Sequence, residues 1–555
     1  VAFVLLGLVL FGSTSHDDSH ITYWAALSLQ RFGQILNYNG ERVEQSSSLL
    51  HVVLLALLGT VTRLPMPTLG PLTSIAAGVV AIFLAGELGE RVVPGGSRGA
   101  ALLAATTSCF VCWGFGGLET TLFAAAALWV ILTCSAYLEA VTGAGRGLAR
   151  PAVAMLLFLC ARPEAPIVLA CTLAAVLVHA AHRRRAALPA LRLVAVAAAE
   201  TLAIFAFRRA YFGALFPNPV YTKVTGIAPL LGLRYLWEHL YPASLWVAAG
   251  VALGLFFVVR DAVQLSEPRF AAVLTAAFTV AYTGFIVLSG GDWMAGGRFI
   301  AHVVPAFAVV TALGVCRALP RPRGSHAALA LCLAVNAYGI WSFADGRSNG
   351  RPLWSTRGLR AELDRRFGPR GFSFFELASK VHLRDTSTSA ELVDLVGAIR
   401  AAKPDRPILI MSAQAGMVPY HAFAKHYRAL RFLDTLSITT RDFLRCLPRS
   451  KLQGRGALGT QLPFERYFAE EAAIDAACGT RRPDIVFGLG HRGLEPLLER
   501  NGYTLVFRQR GSIENEGLGP FLHTHLASDE LIAVDSALLA EVPYPVKPMW
   551  QWDVR

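Results

Sequence analysis

The polarity pattern divides the chain into two unequal parts. Through residues 1–344, apolar runs follow one another between short polar loops; from 345 to 555 the runs become short and mixed. After a first run at Val1–Gly12, apolar stretches occupy 69–86, 100–114, 118–135, 151–161, 165–181, 192–208, 243–259, 270–289, 299–318 and 326–343. With the first they predict about eleven membrane spans. A spanning helix needs about 20 apolar residues, so the shorter runs must be tilted, broken or enclosed by protein. Val1–Gly12 lacks the basic segment and small-residue cleavage site of a signal peptide, and reads as the end of a first membrane helix. Leu49–Thr62 is too short to span and is expected as a juxtamembrane element on the outer side.

Between these two runs lies a first outside loop, residues 13–48. Within it, Ile21, Trp24, Ala25, Leu29 and Phe32 recur at helical spacing, and Asn37–Ser48 is polar and turn-rich. In the C-terminal part, Pro407–Met411, Pro483–Gly488 and Tyr503–Phe507 read as strands bounded by Pro and Gly. Ser389–Ala402 has helical periodicity. The expected fold class is an all-α polytopic transmembrane domain, 1–344, followed by a soluble α/β domain, 345–555.

Composition agrees. The chain is 54% hydrophobic and only 16% charged, against about 25% charged in soluble domains. Its net charge of +13 does not imply a nucleic-acid partner. Much of the arginine lies in short loops: Arg91 and Arg98, Arg146 and Arg150, Arg183 to Arg185, Arg260 and Arg269, and Arg317, Arg321 and Arg323. The positive-inside rule puts these loops inside. The alternate loops and the C-terminal domain then fall outside. If Leu49–Thr62 spanned instead, the parity would invert and Arg183–Arg185 would land outside. Seven of the nine cysteines lie in apolar runs and act as small hydrophobes. Cys109-x-x-Cys112 has no second pair, which argues against zinc or redox chemistry. Cys446 and Cys478 fall in the soluble part, where an extracytoplasmic setting would let them pair.

The outside loops hold the candidate chemistry. They carry Asp17 and Asp18, then Glu119, Arg162 and Glu164, Lys223, and Asp292 with Arg298. Ionisable residues at a membrane margin are functional-site signals. Carboxylates and cations on one membrane face suit the transfer of a sugar from a lipid-linked phosphate to an acceptor hydroxyl. The hydroxyl needs a base, and the departing phosphate needs Arg or Lys. Asp17 and Asp18 are the candidate catalytic pair. Arg162, Lys223 and Arg298 are candidates for the donor phosphate, and Glu119, Glu164 and Asp292 for orienting the sugar or as alternative acids. Each also has a plainer reading: Glu119 as a helix-start acid, Arg162-Pro163-Glu164 as a local ion pair at a kink, Gly290-Gly291-Asp292 as a helix cap and turn. His16 and His20 flank the pair, but no His-x-x-x-His helix or third ligand accompanies them. A divalent cation (Mg, Mn or Ca) near Asp17 and Asp18 stays an open alternative. The rival function is a transporter or flippase for a lipid-linked sugar. That reading favours paired repeats and charges near the bilayer midplane, and neither is visible. A non-catalytic assembly scaffold leaves the surplus of acids without explanation.

The early Asp-Asp after a first helix resembles the signature of GT-C membrane glycosyltransferases. Five further segments are similar, in order, to motifs of the AftB-like arabinofuranosyltransferases: Asn39-Gly40-Glu41-Arg42-Val43-Glu44, Gly117-Leu118-Glu119-Thr120, Arg162-Pro163-Glu164, Tyr211-Phe212-Gly213 through Pro217 to Lys223, and Ser289-Gly290-Gly291-Asp292-Trp293-Met294 with Arg298. That family includes terminal β-(1→2)-arabinofuranosyltransferases. The resemblance covers most of residues 13–305. It implies a GT-C fold and a decaprenylphosphoryl-arabinose-like donor used on the periplasmic face of the bacterial inner membrane. It also implies catalysis by the Asp17-Asp18 pair and a periplasmic C-terminal domain that helps hold a glycan or glycoprotein acceptor. Glu41, Glu44 and Trp293 are the expected acceptor contacts. The chain departs from the pattern at Asp17-Asp18-Ser19-His20, where the mycobacterial enzyme has Asp-Asp-Gly. It also has Trp293 in place of Phe and Asn218 in place of Gly.

Overall fold

A computed structural model of the chain describes every residue outside 11–16, 141–146, 182–183, 224–225, 241–244, 264–268, 293–296, 345–373, 449–451, 455–459, 491–493, 511–528, 547–549 and 552–555. Within the described residues, each predicted apolar run is helical over most of its length. The helices are Ala2–Leu10, Met66–Val92, Ser97–Thr106 with Ser108–Phe115, Thr120–Ala140, Ala149–Ala161, Ala165–Ala181, Arg184–Phe212, Leu245–Val263, Phe270–Ser289, Arg298–Ala318 and Pro322–Ala344. Among the described residues, five helices are long and apolar enough to cross a membrane: Met66–Val92, Thr120–Ala140, Ala186–Phe212, Phe270–Ser289 and Arg298–Ala318. The run expected at 100–114 is divided by Thr107, which is extended (φ −76°, ψ 121°). Its hydroxyl donates to the Leu103 carbonyl at 2.7 Å, and the Asn336 amide donates there at 3.3 Å. The freed backbone is thus satisfied inside protein, the condition for breaking a helix at membrane depth. Ser108–Phe115 is buried throughout, and Arg298–Ala318 is buried along nearly its whole length.

The first loop forms the helix Ser19–Phe32, and the short apolar run after it forms a second, Leu49–Thr62. The second has only 14 residues and is preceded by Ser48, whose hydroxyl accepts from the His51 amide at 3.2 Å, an N-cap bond. The C-terminal part is built on a six-stranded mixed sheet of order β2-β1-β5-β7-β6-β8. Its strands are β1 (Ile408–Ser412), β2 (Leu430–Asp434), β5 (Ile485–Gly490), β6 (Tyr503–Arg510), β7 (Asp529–Asp535) and β8 (Trp550–Gln551). Two further short strands, β3 (Gln453–Gly454) and β4 (Thr460–Gln461), pair separately. β1 lies parallel to both β2 and β5, while β7 runs antiparallel to β5 and β6. The predicted strands at 407–411, 483–488 and 503–507 correspond to β1, β5 and β6. The helix predicted at 389–402 is the end of Phe374–Ala402. The boundary expected at 344/345 borders a segment outside the described residues.

The sheet is buried on both faces, so side chains alternate between two cores. Leu409, Met411 and Val486 face one core, with Phe443, Tyr467 and Phe468. Ile408, Ile410, Ile485 and Phe487 face the other. This second core is shared: it includes Tyr23, Trp24, Tyr38, Leu55 and Leu69 from the N-terminal part. Trp24 stacks on Tyr38 with centroids 5.2 Å apart, and Phe423 closes edge-on to Trp24. The Asn39 side chain both accepts from Phe432 N (2.8 Å) and donates to Phe432 O (2.9 Å). It thereby caps the outer edge of β2 as a further strand would. The loop that carries Asp17 and Asp18 is therefore the layer between the helical bundle and the sheet.

Candidate active site

The Asp pair opens the helix Ser19–Phe32, and its two members face different neighbours. Asp18 is the N-cap residue; its carboxylate lies 3.9 Å from Lys223 Nζ. Asp17 Oδ1 accepts from the backbone N–H of Met417 at 2.5 Å, at the start of the helix Met417–His426. Lys223 ends the short helix Asn218–Lys223. That helix is fixed by Asn218, whose amide nitrogen donates to Ser437 O (2.6 Å) and Ile438 O (2.8 Å) and whose oxygen accepts from Arg441 Nε (3.1 Å). The departure at Asn218 thus docks the Lys223 loop on the C-terminal domain.

Beneath the pair lies a buried network. Arg162 sits between Glu119 and Glu164, donating to both through Nη1 and Nε. Ser47 Oγ donates to Glu119 at 3.0 Å. The Tyr282 hydroxyl donates to Glu164 at 3.3 Å and is hydrogen-bonded to His302 Nδ1 at 2.7 Å. Burial pushes the Glu119 carboxyl up, but the guanidiniums of Arg162 and Arg298 outweigh it and hold the group below the usual range. Glu119 is therefore ionised, and its Oε2 has no hydrogen-bond partner among the described residues. Arg298 binds Asp292 through two bonds, 2.6 and 3.1 Å, a bidentate pair. The charges of Asp18, Glu119 and Arg162 also reach Arg298. Tyr23 OH donates to Gly117 O at 3.1 Å, tying the Asp-bearing helix to the turn before Glu119. Gly117 has φ +71°, and a Cβ there would collide with the Tyr23 hydroxyl, so the turn requires glycine.

The structure gathers most of the sequence-predicted residues, each with partners inside the protein. Arg162, expected at the donor phosphate, is enclosed between two carboxylates; Lys223 and Arg298, expected there too, face Asp18 and Asp292. Asp292 is engaged by Arg298. Glu41 and Glu44, expected at the acceptor, both make intramolecular docking contacts. Glu44 is buried against Arg208 at 2.9 Å. Glu41 accepts from Asn37 at 3.0 Å and lies 3.6 Å from Arg445. Trp293 and His16 lie outside the described residues. Sequence reasoning missed Ser47, Arg208, Tyr282, His302 and the Met417 amide. His302 and Arg208 were the findable ones, as ionisable residues within or at the end of apolar runs.

The donor set does not fit a protein-built cation cage. Asp17 Oδ1 is taken by an amide, Asp18 faces an ammonium, and among the described residues no three His, Cys, Asp or Glu side chains converge on one point. No step below passes through a metal. In the C-terminal domain a disulfide joins Cys446 and Cys478.

No protein-family model matches the chain, and no curated protein matches it in sequence. Solved structures do. ArnT from Cupriavidus metallidurans bound to undecaprenyl phosphate superposes with TM-score 0.53 at 11% identity, over 97% of this chain and 97% of that one. Apo ArnT from the same organism gives 0.50 at 13%, over 96% and 97%. The arabinosyltransferase EmbB from Mycobacterium smegmatis aligns at 16% identity over 81% and 41%, with a TM-score of 0.39, too distant to bear on the fold or the sugar. At such identities the likeness speaks for architecture alone: the chain is a multi-pass membrane protein with the GT-C fold, carrying an α/β domain at its C-terminal end.

Proposed function

We propose that the chain is a membrane glycosyltransferase. In this reading it moves a sugar, most specifically D-arabinofuranose, from a polyprenyl-phosphate donor to a hydroxyl of a glycan or glycoprotein. The reaction takes place on the periplasmic face of the bacterial inner membrane. The observation that carries the proposal is convergence on Arg298: Asp18, Glu119 and Arg162, from three other segments, all lie within reach of its charge. The fold shared with ArnT, which binds undecaprenyl phosphate, supports a polyprenyl-phosphate donor. The ordered motifs shared with arabinofuranosyltransferases support the sugar. The Cys446–Cys478 disulfide supports an oxidising, extracytoplasmic setting for the C-terminal domain.

The reaction follows from the charges. Asp17 or Asp18 removes the proton from the acceptor hydroxyl, a contribution of roughly 10²–10⁴ in rate. The acceptor oxygen bonds to the anomeric carbon. The bond from that carbon to the phosphate oxygen breaks, and its electron pair leaves with the phosphate. The lipid phosphodiester becomes a monoester with one more negative charge, which Lys223 and Arg298 stabilise. The carboxylic acid then releases its proton to solvent.

The test is mass spectrometry of products formed by the purified protein from synthetic polyprenyl-phosphate pentoses and hexoses. An acceptor enlarged by one pentose is expected. Enlargement by a hexose alone would remove the arabinose assignment, and no product from any such donor would remove the transferase.

A further inference from the structure

We propose that Gly416 and the Met417 amide are a positioning element for Asp17, so that the α/β domain supplies part of the active site. The inference rests on the transferase reading and takes Asp17 as the acting carboxylate.

The placement follows from the sheet. β1 lies between β2 and β5, parallel to both. From its carboxyl end the chain passes through the helix Met417–His426 to β2 on one side, while β5 joins on the other. In open α/β sheets this divergence leaves a crevice outside the strand ends, beside a helix N-terminus suited to anions. Here the occupant is a carboxylate of the same chain. Asp17, 400 residues away in sequence, places Oδ1 2.5 Å from Met417 N. Gly416 leaves room for the residue, since a Cβ there would collide with the Asp17 backbone oxygen and lie 2.5 Å from Oδ1.

The loop is held on both sides. Tyr38 OH donates to Ala415 O at 3.1 Å. Gln414 N donates to Ser412 Oγ at 2.9 Å, and Gln414 Nε2 donates to Glu530 Oε1 at 2.9 Å. An N–H on one carboxylate oxygen fixes the group's orientation and favours its charged form.

The test is Gly416→Ala, alone and combined with substitutions of Asp17, in the full-length protein. Displacing a reacting group by about 1 Å costs up to roughly 100-fold. Gly416→Ala is expected to lower turnover about ten- to a hundredfold while leaving the donor KM near the wild-type value, a loss confined to the transition state. The acid limb of its pH profile should move to higher pH, because the carboxylate loses a donor. In an Asp17→Asn background, Gly416→Ala should add little further loss of turnover, because the carboxylate it positions is already gone; a cost paid by the backbone alone would instead appear in both arms of the cycle. Equal losses in both backgrounds, or unchanged turnover and pH profile, would overturn the proposal. If Gly416→Ala unfolds the protein, Asp17→Ala removes the colliding carboxylate, though not the Asp17 backbone oxygen, and should recover part of the melting temperature. No recovery at all would also overturn the contact. This stability arm needs no activity. A wild-type protein inactive on every lipid-phosphate sugar would therefore fail the transferase reading and leave the Asp17–Met417 contact separately tested.

Discussion

The two ends of the helical bundle carry charge in opposite ways. At one end Glu119, Arg162, Glu164, Asp292 and Arg298 each have less than a tenth of the side chain exposed and are paired with one another. At the other end Arg91 pairs with Glu87 on its own helix at 3.1 Å, and Arg260 and Arg317 share Asp261 at 3.1 and 2.9 Å. Arg269 donates to the Arg91 carbonyl at 2.7 Å. Here the three paired arginines are 31–46% exposed. The exposed set matches the basic loops that orient a membrane protein. The buried set needs another reason, because taking ions out of water costs several kcal/mol each and apolar packing would serve stability as well. A task that handles charge, such as the departure of a phosphate, supplies that reason.

The sharpest way to break this contrast is to remove one arginine from each end. Arg162→Met leaves Glu119 and Glu164 buried without their shared cation and should cost about 3–5 kcal/mol. Arg317→Met should cost no more than about 1 kcal/mol. Thermal melting in detergent or nanodiscs compares them, and equal shifts would erase the distinction. Next in size is Cys446→Ser. The disulfide closes a loop between residues 32 apart in the domain covering the buried end, and its loss should cost about 3–4 kcal/mol in the unfolding of that domain. An unchanged melting profile in oxidising buffer would contradict this.

A smaller effect is expected from pH. The Glu119 carboxyl is held below its ordinary range in the folded protein. Its ionised form therefore contributes stability that is present above the ordinary carboxylate range and is lost as pH falls through the depressed value. Melting temperature should drop through that acid window, and Glu119→Gln should flatten the slope there. A slope that stays the same in the variant would show that Glu119 contributes nothing to it.

The helical half was legible because apolar runs and ionisable residues at their ends are local signals. Asp17, Asp18, Glu119, Lys223, Asp292 and Arg298 could be named from position alone. So could β1, β5 and β6, each an apolar run bounded by Pro or Gly. β2 and β7 were missed because Leu430–Asp434 and Asp529–Asp535 mix charges with apolar residues, and pairing with distant strands decides their conformation. The pairing of Arg162 was invisible because Glu119 lies 43 residues away. Arg208 looked like the end of a span, yet its partner is Glu44, 164 residues away. The Met417 contact is made by backbone, which leaves no side-chain signature. It also depends on the Asp-bearing loop reaching the sheet, a contact only the tertiary structure reveals.

The central claim is that the Asp17-Asp18 pair does the chemistry. Its direct measure is the rate at which purified wild-type, Asp17→Ala and Asp18→Ala proteins transfer pentose from a polyprenyl-phosphate donor. At least one substitution should lower that rate by about a hundredfold or more in protein that remains folded. Wild-type rates in both variants would contradict the claim.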